Sequence, residues 1–241
     1  MKTLSTTLII LPLLAVTGFF FQSCNGNHYS VDETILADRT EPGYLSNPDT
    51  ESIEKFLPLS NDIWQGYHFR MLTLNDVAFS HVYEAQLEPA CQYLSNIYNR
   101  QDEEKNFFAT IDSGFQVAMS VPAGRPHSSI YIPLANELQR LSESSAKRKI
   151  LIAYSDMIEN TSIMRFYNPE TLELLKTNPD SVKKIFESEV ALPNLSGIEV
   201  YIIYQPKNET YSEWFRASSG FYKAWLESKG AKVVVEANLT Q

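Results

Sequence analysis

Short runs of β-branched and aromatic residues recur along the chain and predict the strands of a sheet. The runs cover residues 67–74, 107–111, 117–121, 149–154, 198–204 and 232–236. The run at 149–154 is apolar almost throughout, which is typical of a strand buried on both faces of a parallel sheet. The second and third runs lie on either side of Gly114, where a hairpin would add one antiparallel edge to the sheet.

Apolar residues at helical spacing separate these runs and predict helices between the strands. The predicted helices cover residues 79–98, 130–141, 169–187 and 212–229. In the first helix Pro89 either kinks the chain or marks the true first turn. Ser128 and Ser129 precede the second helix as natural N-cap residues, and Asn178-Pro179 is a point where the third could break. The fourth helix has an aromatic face, which we expect to lie in the core.

The predicted elements follow the order β-α-β-β-α-β-α-β-α-β. Strands that alternate with helices imply a mostly parallel sheet with helices packed on both of its faces. We therefore expect one α/β domain of three layers with a Rossmann-like architecture. The chain has 241 residues, which is long enough to build the core of such a domain.

The first 24 residues have the pattern of a secretory signal peptide. An apolar run at residues 8–21 is short for a membrane-spanning helix. The sequence Gln22-Ser23-Cys24 after this run resembles a bacterial lipobox, although Phe21 stands where Leu is usual. The resemblance implies that Cys24 is lipidated, and a multi-chain lipid anchor attaches a protein stably to a membrane. Ordinary cleavage near Ser23 is the alternative.

Residues 25–62 are polar, contain three prolines and show little apolar periodicity. This composition predicts a flexible tether that leads to a folded domain at residues 63–241. Cys24 and Cys91 are the only cysteines of the chain. If Cys24 carries lipid, Cys91 is a lone thiol that behaves as a small buried hydrophobic residue. A disulfide between Cys24 and Cys91 is the alternative.

The overall charge bears on the class of partner. The formal net charge is −9 and the isoelectric point is about 5.0. Nucleic acid is therefore excluded as a partner, because binding to phosphates requires clustered Lys and Arg. The sequence also lacks a His-Glu-x-x-His zinc motif, a Gly-rich phosphate loop and a dinucleotide fingerprint. With the lipobox, these features predict a protein of the bacterial cell envelope that faces the periplasm or the cell surface.

Acidic residues follow two of the predicted strands. Asp76 and Ser80 come after the run at 67–74, and Asp156 follows the run at 149–154. The carboxyl ends of parallel strands meet at one edge of a sheet, where ligands bind. Carboxylate and hydroxyl oxygens suit hard cations such as Mg²⁺ and Mn²⁺, so the pattern predicts a divalent cation site. Alternatively, these side chains only cap a helix start and a turn.

The element order and these acids together resemble the von Willebrand factor A-like domain, over about residues 67–238. That family holds a divalent cation at a metal-ion-dependent adhesion site, whose first motif, Asp-x-Ser-x-Ser, follows the first strand. The segment from Asp76 to Ser80 matches this motif at the Asp and at the second Ser, with Ala78 in place of the first Ser.

Two further motifs of the family have counterparts in the sequence. Ser128 lies before a predicted helix, where the family has a Thr or Ser ligand. Asp156 corresponds to the Asp of the family's Thr-Asp-Gly, with Ser155 for Thr and Met157 for Gly. The resemblance implies that Asp76, Ser80, Ser128 and Asp156 hold Mg²⁺ or Mn²⁺. Ala78 removes one direct hydroxyl ligand, which implies either a weaker site or a degenerate one without metal.

Two functions of different classes follow from these features. The first is a non-catalytic interaction or adhesion module, anchored to a membrane by lipid, that presents its crevice to an envelope or secreted protein. The second is a metal-assisted hydrolase that uses the same crevice, with His81 or His127 as general base.

Overall fold

The structure is a computed structural model that describes residues 29–40, 48–56, 62–74, 81–120 and 127–239. The strands are β1 (Val31–Asp38), β2 (Tyr67–Leu74), β3 (Val82–Leu87), β4 (Arg148–Tyr154), β5 (Ile198–Ile203) and β6 (Lys232–Glu236). The helices are α1 (Thr50–Phe56), α2 (Ile97–Ser120), α3 (Tyr131–Glu143), α4 (Pro169–Thr177), α5 (Pro179–Glu189) and α6 (Glu209–Ser228). None of the helices in these ranges is both long enough and apolar enough to cross a membrane.

The six strands form one sheet in the order β3-β2-β1-β4-β5-β6. All neighbouring pairs are parallel except β2 and β3, which pair antiparallel at one edge. Helices cover both faces of the sheet, so the predicted three-layer, Rossmann-like α/β architecture is confirmed. The antiparallel edge exists as well, but it is formed by β3 and not by the predicted hairpin around Gly114.

Each face of the sheet packs against its own set of helices. On one face, apolar residues of β1 to β5 contact Phe107, Ile111 and Phe115 of α2 and Ile53 of α1. The other face forms a larger core with helices α3 to α6, in which aromatic rings of Tyr131, Phe186 and Trp225 stack. The aromatic face predicted for α6 is therefore in the core.

Strand β1 shows that the predicted tether is wrong for the part of residues 25–62 that the structure describes. Val31–Asp38 is the central strand of the sheet, paired with β2 on one side and β4 on the other, and every residue in it is buried. Thr50–Phe56 is a helix. The folded domain therefore begins by Val31 and not at residue 63.

The tether prediction fails because Asp32 and Thr34, two of the polar residues of β1, are buried with partners. Asp32 receives two hydrogen bonds from Arg140 of α3, each 2.9 Å long, and its Oδ1 lies 3.0 Å from His68 Nδ1. Thr34 Oγ1 accepts a bond of 2.7 Å from Arg140. Burial alone would raise the pKa of Asp32, but the hydrogen bonds with His68 and Arg140 hold that pKa well below its usual range. A strand stabilised in this way lacks the apolar pattern by which buried strands are recognised.

Three further predictions, two strands and one helix, are wrong in the region of β3 and α2. The runs at 107–111 and 117–121 were predicted as strands, but residues 107–111 and 117–120 lie within this helix of 24 residues, and residue 121 lies outside the described residues. Phe107, Ile111 and Phe115 recur at helical spacing and face the sheet, so packing outweighed their local strand preference. Where a helix was predicted at 79–98, residues 82–87 form strand β3, residues 88–96 form a loop that contains Pro89, and helix α2 begins at Ile97. The buried residues of β3, Ala85 and Leu87, alternate with exposed ones.

The remaining predicted elements are confirmed within a few residues. Strands at 67–74, 149–154, 198–204 and 232–236 are present as β2, β4, β5 and β6. The helix predicted at 169–187 breaks at Asn178 into α4 and α5, and Pro occupies the first turn of each.

Glu33 is the least expected residue of the core. Its side chain is fully buried in β1, and neither carboxylate oxygen has a hydrogen-bond partner among the residues that the structure describes. Burial raises the pKa of Glu33 to about 8, and the positive charge of Arg148 lowers it only in part. This raised pKa favours the protonated form of Glu33 in the folded protein at neutral pH.

Deletion of β1 tests the corrected domain boundary. A chain of residues 63–241 lacks the central strand and exposes the edges of β2 and β4, so we expect it to show no cooperative thermal transition by circular dichroism. The matched chain of residues 25–241 should melt cooperatively. A cooperative melt of the shorter chain would show that β1 is dispensable.

Glu33 should make the protein less stable as pH rises. Its folded pKa lies above the unfolded value near 4.5, so its contribution is complete below that value and is lost as pH rises to about 8. We expect a loss of a few kcal/mol in the free energy of unfolding between pH 5 and 8, since one pKa unit is worth about 1.4 kcal/mol.

Urea unfolding of the wild type and of Glu33→Gln at both pH values measures this loss. The decrease should be smaller in Glu33→Gln, and unchanged in the matched control Glu173→Gln on the exposed side of α4. Equal pH dependence of all three proteins would contradict the assignment to Glu33.

Candidate functional site

The candidate site lies where the central strands β1 and β4 end. These strands are parallel neighbours, and their last paired residues are Ala37 and Tyr154. From this point the sheet continues in opposite directions, to β2 on one side and to β5 on the other. Such a switch point opens a crevice at the carboxyl ends of the strands, which is where ligands bind in sheets of this kind.

Asp38 is the centre of the hydrogen bonding at this edge. It is the last residue of β1 and is buried. Its Oδ1 accepts bonds from the backbone N of Thr40 (2.9 Å) and from Thr40 Oγ1 (2.6 Å). Its Oδ2 accepts a bond of 2.8 Å from Ser155 Oγ, directly after β4. The ends of the two strands are therefore joined by the bond between the Asp38 carboxylate and the Ser155 hydroxyl.

Asp156 lies beside this group in a tight turn. Its Oδ1 accepts a 2.9 Å bond from the backbone N of Ile158, so the predicted capping of the turn is present. Ser155 Oγ accepts a similar bond of 2.9 Å from the backbone N of Met157. Met157 has a φ of 60°, a left-handed conformation that is uncommon for residues other than Gly and that costs free energy. The strained turn holds Asp156 at the crevice.

Ser128 reaches the same region through a short bridge to the loop after β4. Its backbone N and O bond to Asn160, at 3.2 and 2.8 Å. The hydroxyls of Ser128 and Ser129 are buried and have no hydrogen-bond partner among the described residues. The prediction that they cap α3 is wrong, because the N-cap residue is Ile130 and it makes no side-chain bond.

Glu159 takes the capping role instead. Its Oε2 accepts bonds of 2.9 Å from the backbone N of Ile130 and of Tyr131, which places a carboxylate at the positive end of the helix dipole. Burial raises the pKa of Glu159 to about 7, the backbone bonds of Tyr131 and Ile130 oppose the rise, and the negative charge of Asp38 adds to it. The crevice is therefore bordered by three buried acidic side chains, Asp38, Asp156 and Glu159.

Two of the four residues predicted for the metal site lie within the described part of the chain. Ser128 and Asp156 lie at the same edge of the sheet, as expected. Asp76 and Ser80 fall outside the described residues, as does Cys24. The strand before Asp76 is β2, which is not the first strand of the sheet, and the acid that follows the first strand is Asp38.

Asp38 and Thr40 are the residues that reasoning from sequence missed. A signal was present, because Ile35-Leu36-Ala37 is an apolar run that ends in an acid, like the run before Asp156. The polar residues before that run and the prolines after it led to the prediction of a tether instead.

The donors at this edge are oxygen atoms, with two aspartates and several hydroxyls. No group of three or more His, Cys, Asp or Glu side chains suited to a metal occurs in the described part of the chain. The oxygen donors suit Mg²⁺ or Mn²⁺, which keep several water ligands and need few carboxylates. The buried hydroxyl of Ser128, with no described partner, agrees with such a use.

A separate groove of about 550 Å³ lies between α4, α5 and α6. Trp214 and Phe221 form part of its wall, and Lys176, Lys183 and Arg216 supply positive charge. None of the oxygen donors of the crevice lines this groove. Its volume is within the range of ligand pockets, but it contains no set of groups that together suggest a reaction.

Cys91 is disulfide-bonded in the structure. The other cysteine of the sequence is Cys24, which lies outside the described residues. A lipid thioether and a disulfide use the same sulfur, so the two alternatives for Cys24 exclude each other within one chain.

Comparison with known proteins leaves the family open. No protein-family profile and no curated protein sequence matches the chain. Among solved structures, the D319A mutant of the PilB minor pilin from Streptococcus sanguinis is similar, with a TM-score of 0.46 and 10% sequence identity. The alignment covers 89% of this chain and 59% of the pilin chain.

The electrostatic interaction between Asp38 and Glu159 can be tested directly. Replacement of Asp38 by Asn removes a negative charge that raises the pKa of Glu159, so that pKa should fall but stay above the ordinary value, because burial remains. Carbon-detected NMR titration of the glutamate carboxyls measures the change. The exposed acid Asp180 provides the control Asp180→Asn, which should leave Glu159 unaffected. An unchanged pKa in Asp38→Asn would show that the two groups are farther apart or better screened.

Proposed function

We propose that the protein is a non-catalytic interaction module that holds a divalent cation in the crevice at the ends of β1 and β4. Through this cation it binds an acidic group of an envelope or secreted protein. The observation that carries the proposal is the meeting of Asp38, Thr40, Ser128 and Asp156 at one switch point of the sheet.

The order of the strands supports a revised form of the resemblance to the von Willebrand factor A-like domain. In that family the Asp-x-Ser-x-Ser motif follows the first strand, which is β1 in this chain. Asp38 then takes the place of the motif's Asp, Thr40 that of its first Ser, and Pro42 that of its second Ser. In the alignment that begins at Asp76, Ala78 leaves the position of the first Ser without a hydroxyl. In the alignment that begins at Asp38, Thr40 supplies that hydroxyl, and Pro42 leaves the position of the second Ser without one.

The geometry at Asp156 supports the same alignment. The family has Gly after this Asp, and Met157 holds a left-handed φ of 60°, the backbone conformation that Gly adopts most easily. Met157 is also fully buried, so its side chain stabilises the turn by packing while its backbone is strained. A turn kept at this cost is typical of functional sites.

A bound cation would change the electrostatics of the crevice. The residues suited to hold it are Asp38 and Asp156, either directly or through water, together with the hydroxyls of Thr40 and Ser128. The negative charges of Asp38 and Glu159 repel each other here, so a divalent cation would relieve this repulsion. A cation with an open position can then accept a carboxylate from a partner, which is the chemistry of a metal-dependent adhesion site.

The proposal also places the protein at a membrane in the bacterial envelope, through a lipid on Cys24. The support is the lipobox-like sequence Gln22-Ser23-Cys24 after an apolar run. The disulfide-bonded state of Cys91 favours the alternative, and the mass of the mature chain decides between them.

The hydrolase alternative uses the same crevice with His81 or His127 as base. Both residues are exposed, and neither imidazole bonds to a hydroxyl or a carboxylate among the described residues. Ser155, a hydroxyl at the crevice, donates to Asp38 and not to a histidine. The geometry therefore supports binding better than it supports hydrolysis, and turnover of phosphate or acyl esters that is lost in His127→Ala would reverse this preference.

Metal-dependent stabilisation tests the cation site. Thermal melting of residues 25–241 with Mg²⁺, Mn²⁺ or Ca²⁺ should show a rise, since a ligand at a hundredfold excess over Kd stabilises the folded state by about 2.7 kcal/mol. This metal-dependent increase in melting temperature should vanish in Asp38→Asn and in Asp156→Asn, and should persist in the control Asp180→Asn.

Asp76→Asn separates the two alignments of the first motif. If Asp38 is the ligand, Asp76→Asn keeps the metal increment, and if Asp76 is the ligand, the increment is lost. The absence of any increment in the wild type would contradict the cation site. Capture of an envelope protein that persists in EDTA and in Asp38→Asn would contradict the role of the crevice in binding.

A further inference from the structure

We infer that the protein has a second binding surface, at the outer edge of strand β3, which takes up an extended basic segment of a partner protein. In this arrangement the segment pairs with β3 as an additional strand of the sheet, a mode of recognition known as β-augmentation. The surface shares no residue with the crevice at the ends of β1 and β4, and the inference does not depend on the proposed cation.

Strand β3 forms one edge of the sheet, where β2 is its neighbour and no further strand follows among the described residues. Thr73 donates a backbone hydrogen bond to the O of His81, which faces it just beyond the last paired residues of the ladder between β2 and β3. Bonded and non-bonded pairs alternate along an antiparallel ladder, so the N–H and C=O groups of Val82, Glu84 and Gln86 point away from β2. These outward groups have no backbone partner in the described part of the chain.

The two edges of the sheet differ in how they are protected. Edge strands are commonly protected by Lys, Pro or a bulge, because an open edge can pair with another chain. Strand β6, at the opposite edge, carries Lys232, and Lys223 donates a bond of 2.6 Å to the carbonyl of Val233. Strand β3 contains neither Lys nor Pro, and its one charged residue is Glu84. Its edge therefore keeps the backbone groups that an added strand needs, with a charge that attracts a basic strand.

A groove of about 440 Å³ lies beside this edge, between β3 and α2. It is lined by the buried side chains of Ala85, Leu87 and Phe107 and by the exposed residues Asn106 and Thr110 of α2. Side chains of a strand alternate between the two faces of a sheet, so every second residue of an added strand would point towards α2 and into the groove. The groove therefore offers apolar contact to the same segment that the backbone of β3 would bind.

Helix α2 fixes the shape of the groove. Arg100, near the start of the helix, is 1% exposed and donates a bond of 2.8 Å to the backbone O of Glu88, directly after β3. Gly114, farther along the helix, lies against β3, since a Cβ at this position would be 3.4 Å from the Cβ of Tyr83. The helix is thus held close to both ends of β3. A groove formed in advance lowers the cost of ordering on binding.

The charge of the groove identifies the occupant as a basic segment. Glu84, Glu88 and Glu103 line the groove, and no Lys or Arg lines it among the described residues. Glu84 and Glu103 each pair with an arginine. Glu88 instead accepts a bond of 2.6 Å from the neutral hydroxyl of Tyr29, and no cation pairs with it in the described ranges. A Lys or Arg of a partner can therefore form an ion pair with Glu88.

The same charges disfavour a second copy of this chain as the occupant. The formal net charge of the chain is −9, and pairing of β3 with β3 of another copy would bring the acidic residues of two grooves together. Like charges placed opposite each other across an interface cost free energy. A partner segment with alternating basic and apolar residues avoids this repulsion and fits both the acidic residues and the apolar lining.

Binding of a synthetic peptide tests the surface. The probe is a fluorescein-labelled peptide of alternating Lys and Val that matches the length of β3, and its counterpart has Glu in place of Lys. Fluorescence anisotropy with the full-length chain should show binding of the Lys peptide that weakens as salt is added. The Glu peptide should bind at least about tenfold more weakly, because its charges are repelled by the groove.

Substitutions at Gln86 and Glu88 separate the backbone from the charge. Gln86 is exposed, and Gln86→Pro removes an outward N–H without removing a bond to β2, so affinity for the Lys peptide should fall about tenfold or more. The matched control Gln86→Thr keeps the N–H and should bind within about twofold of the wild type. Glu88→Gln keeps an acceptor for Tyr29 but removes the charge, and should weaken binding about threefold at low salt.

Amide hydrogen exchange, followed by NMR with and without the Lys peptide, locates the contact without any substitution. The amides of Val82, Glu84 and Gln86 should exchange about tenfold more slowly or less when the peptide is bound, because they gain hydrogen-bond partners. The amides of Tyr83 and Ala85 already face β2 and should change little.

Selective protection of the outward amides, with binding weakened in Gln86→Pro and kept in Gln86→Thr, supports the surface. Binding of the Lys peptide without this protection shows general attraction to an acidic protein and overturns the inference, as does the absence of binding. Equal binding of the Glu peptide overturns the basic partner. A dimer that protects the same amides without peptide assigns the edge to a second copy and also overturns it.

The crevice is distinguished by EDTA and by Asp38→Asn, which should leave binding of the Lys peptide unchanged. Loss of peptide binding under either condition would place the peptide at the crevice and overturn the surface on β3. Failure of the metal-dependent stabilisation, with peptide binding intact, would overturn the cation site alone. Circular dichroism melting confirms that each variant is folded.

Discussion

The position of β1 between β2 and β4 is the constraint on which the rest of the structure depends. Strand β1 has a parallel neighbour on each side, β2 and β4. The order of the strands reverses beside β1, which is where a crevice opens in sheets of this kind. It also carries polar residues into the core, and these are tolerated because Arg140 and His68 bond to Asp32 while Glu33 takes up a proton. The strand thus links the stability of the sheet to the geometry of the site at its end.

The crevice combines features that cost stability. The buried acid Asp38 raises the pKa of the buried acid Glu159, Met157 has a left-handed backbone conformation, and the hydroxyls of Ser128 and Ser129 are buried without a described partner. Each of these is unfavourable for an inert core. They occur together at the switch point of the sheet, where the proposed cation would neutralise charge and use the oxygen donors.

The two ends of the domain differ in chemistry. The end with the crevice is acidic and rich in hydroxyls, whereas the end where the chain enters the fold has the exposed apolar residues Tyr93, Leu94, Ile97 and Tyr98. Arg100 fixes the second end, and the bond between Asp38 and Ser155 fixes the first.

The amino-acid sequence by itself determined the architecture, the four strands with strong apolar patterns, the break at Asn178 and the presence of Asp156 and Ser128 at a strand-end edge. It did so because apolar periodicity and proline positions act locally. Only the tertiary structure revealed β1, α2, Asp38 and Thr40. The polar residues of β1 are stable in the core only through Arg140 and His68, which lie far away in the sequence, and the strand preference of Phe107 to Ile111 yielded to packing against the sheet. Contacts between distant residues decided these elements, although local signals such as the apolar run Ile35-Leu36-Ala37 were present.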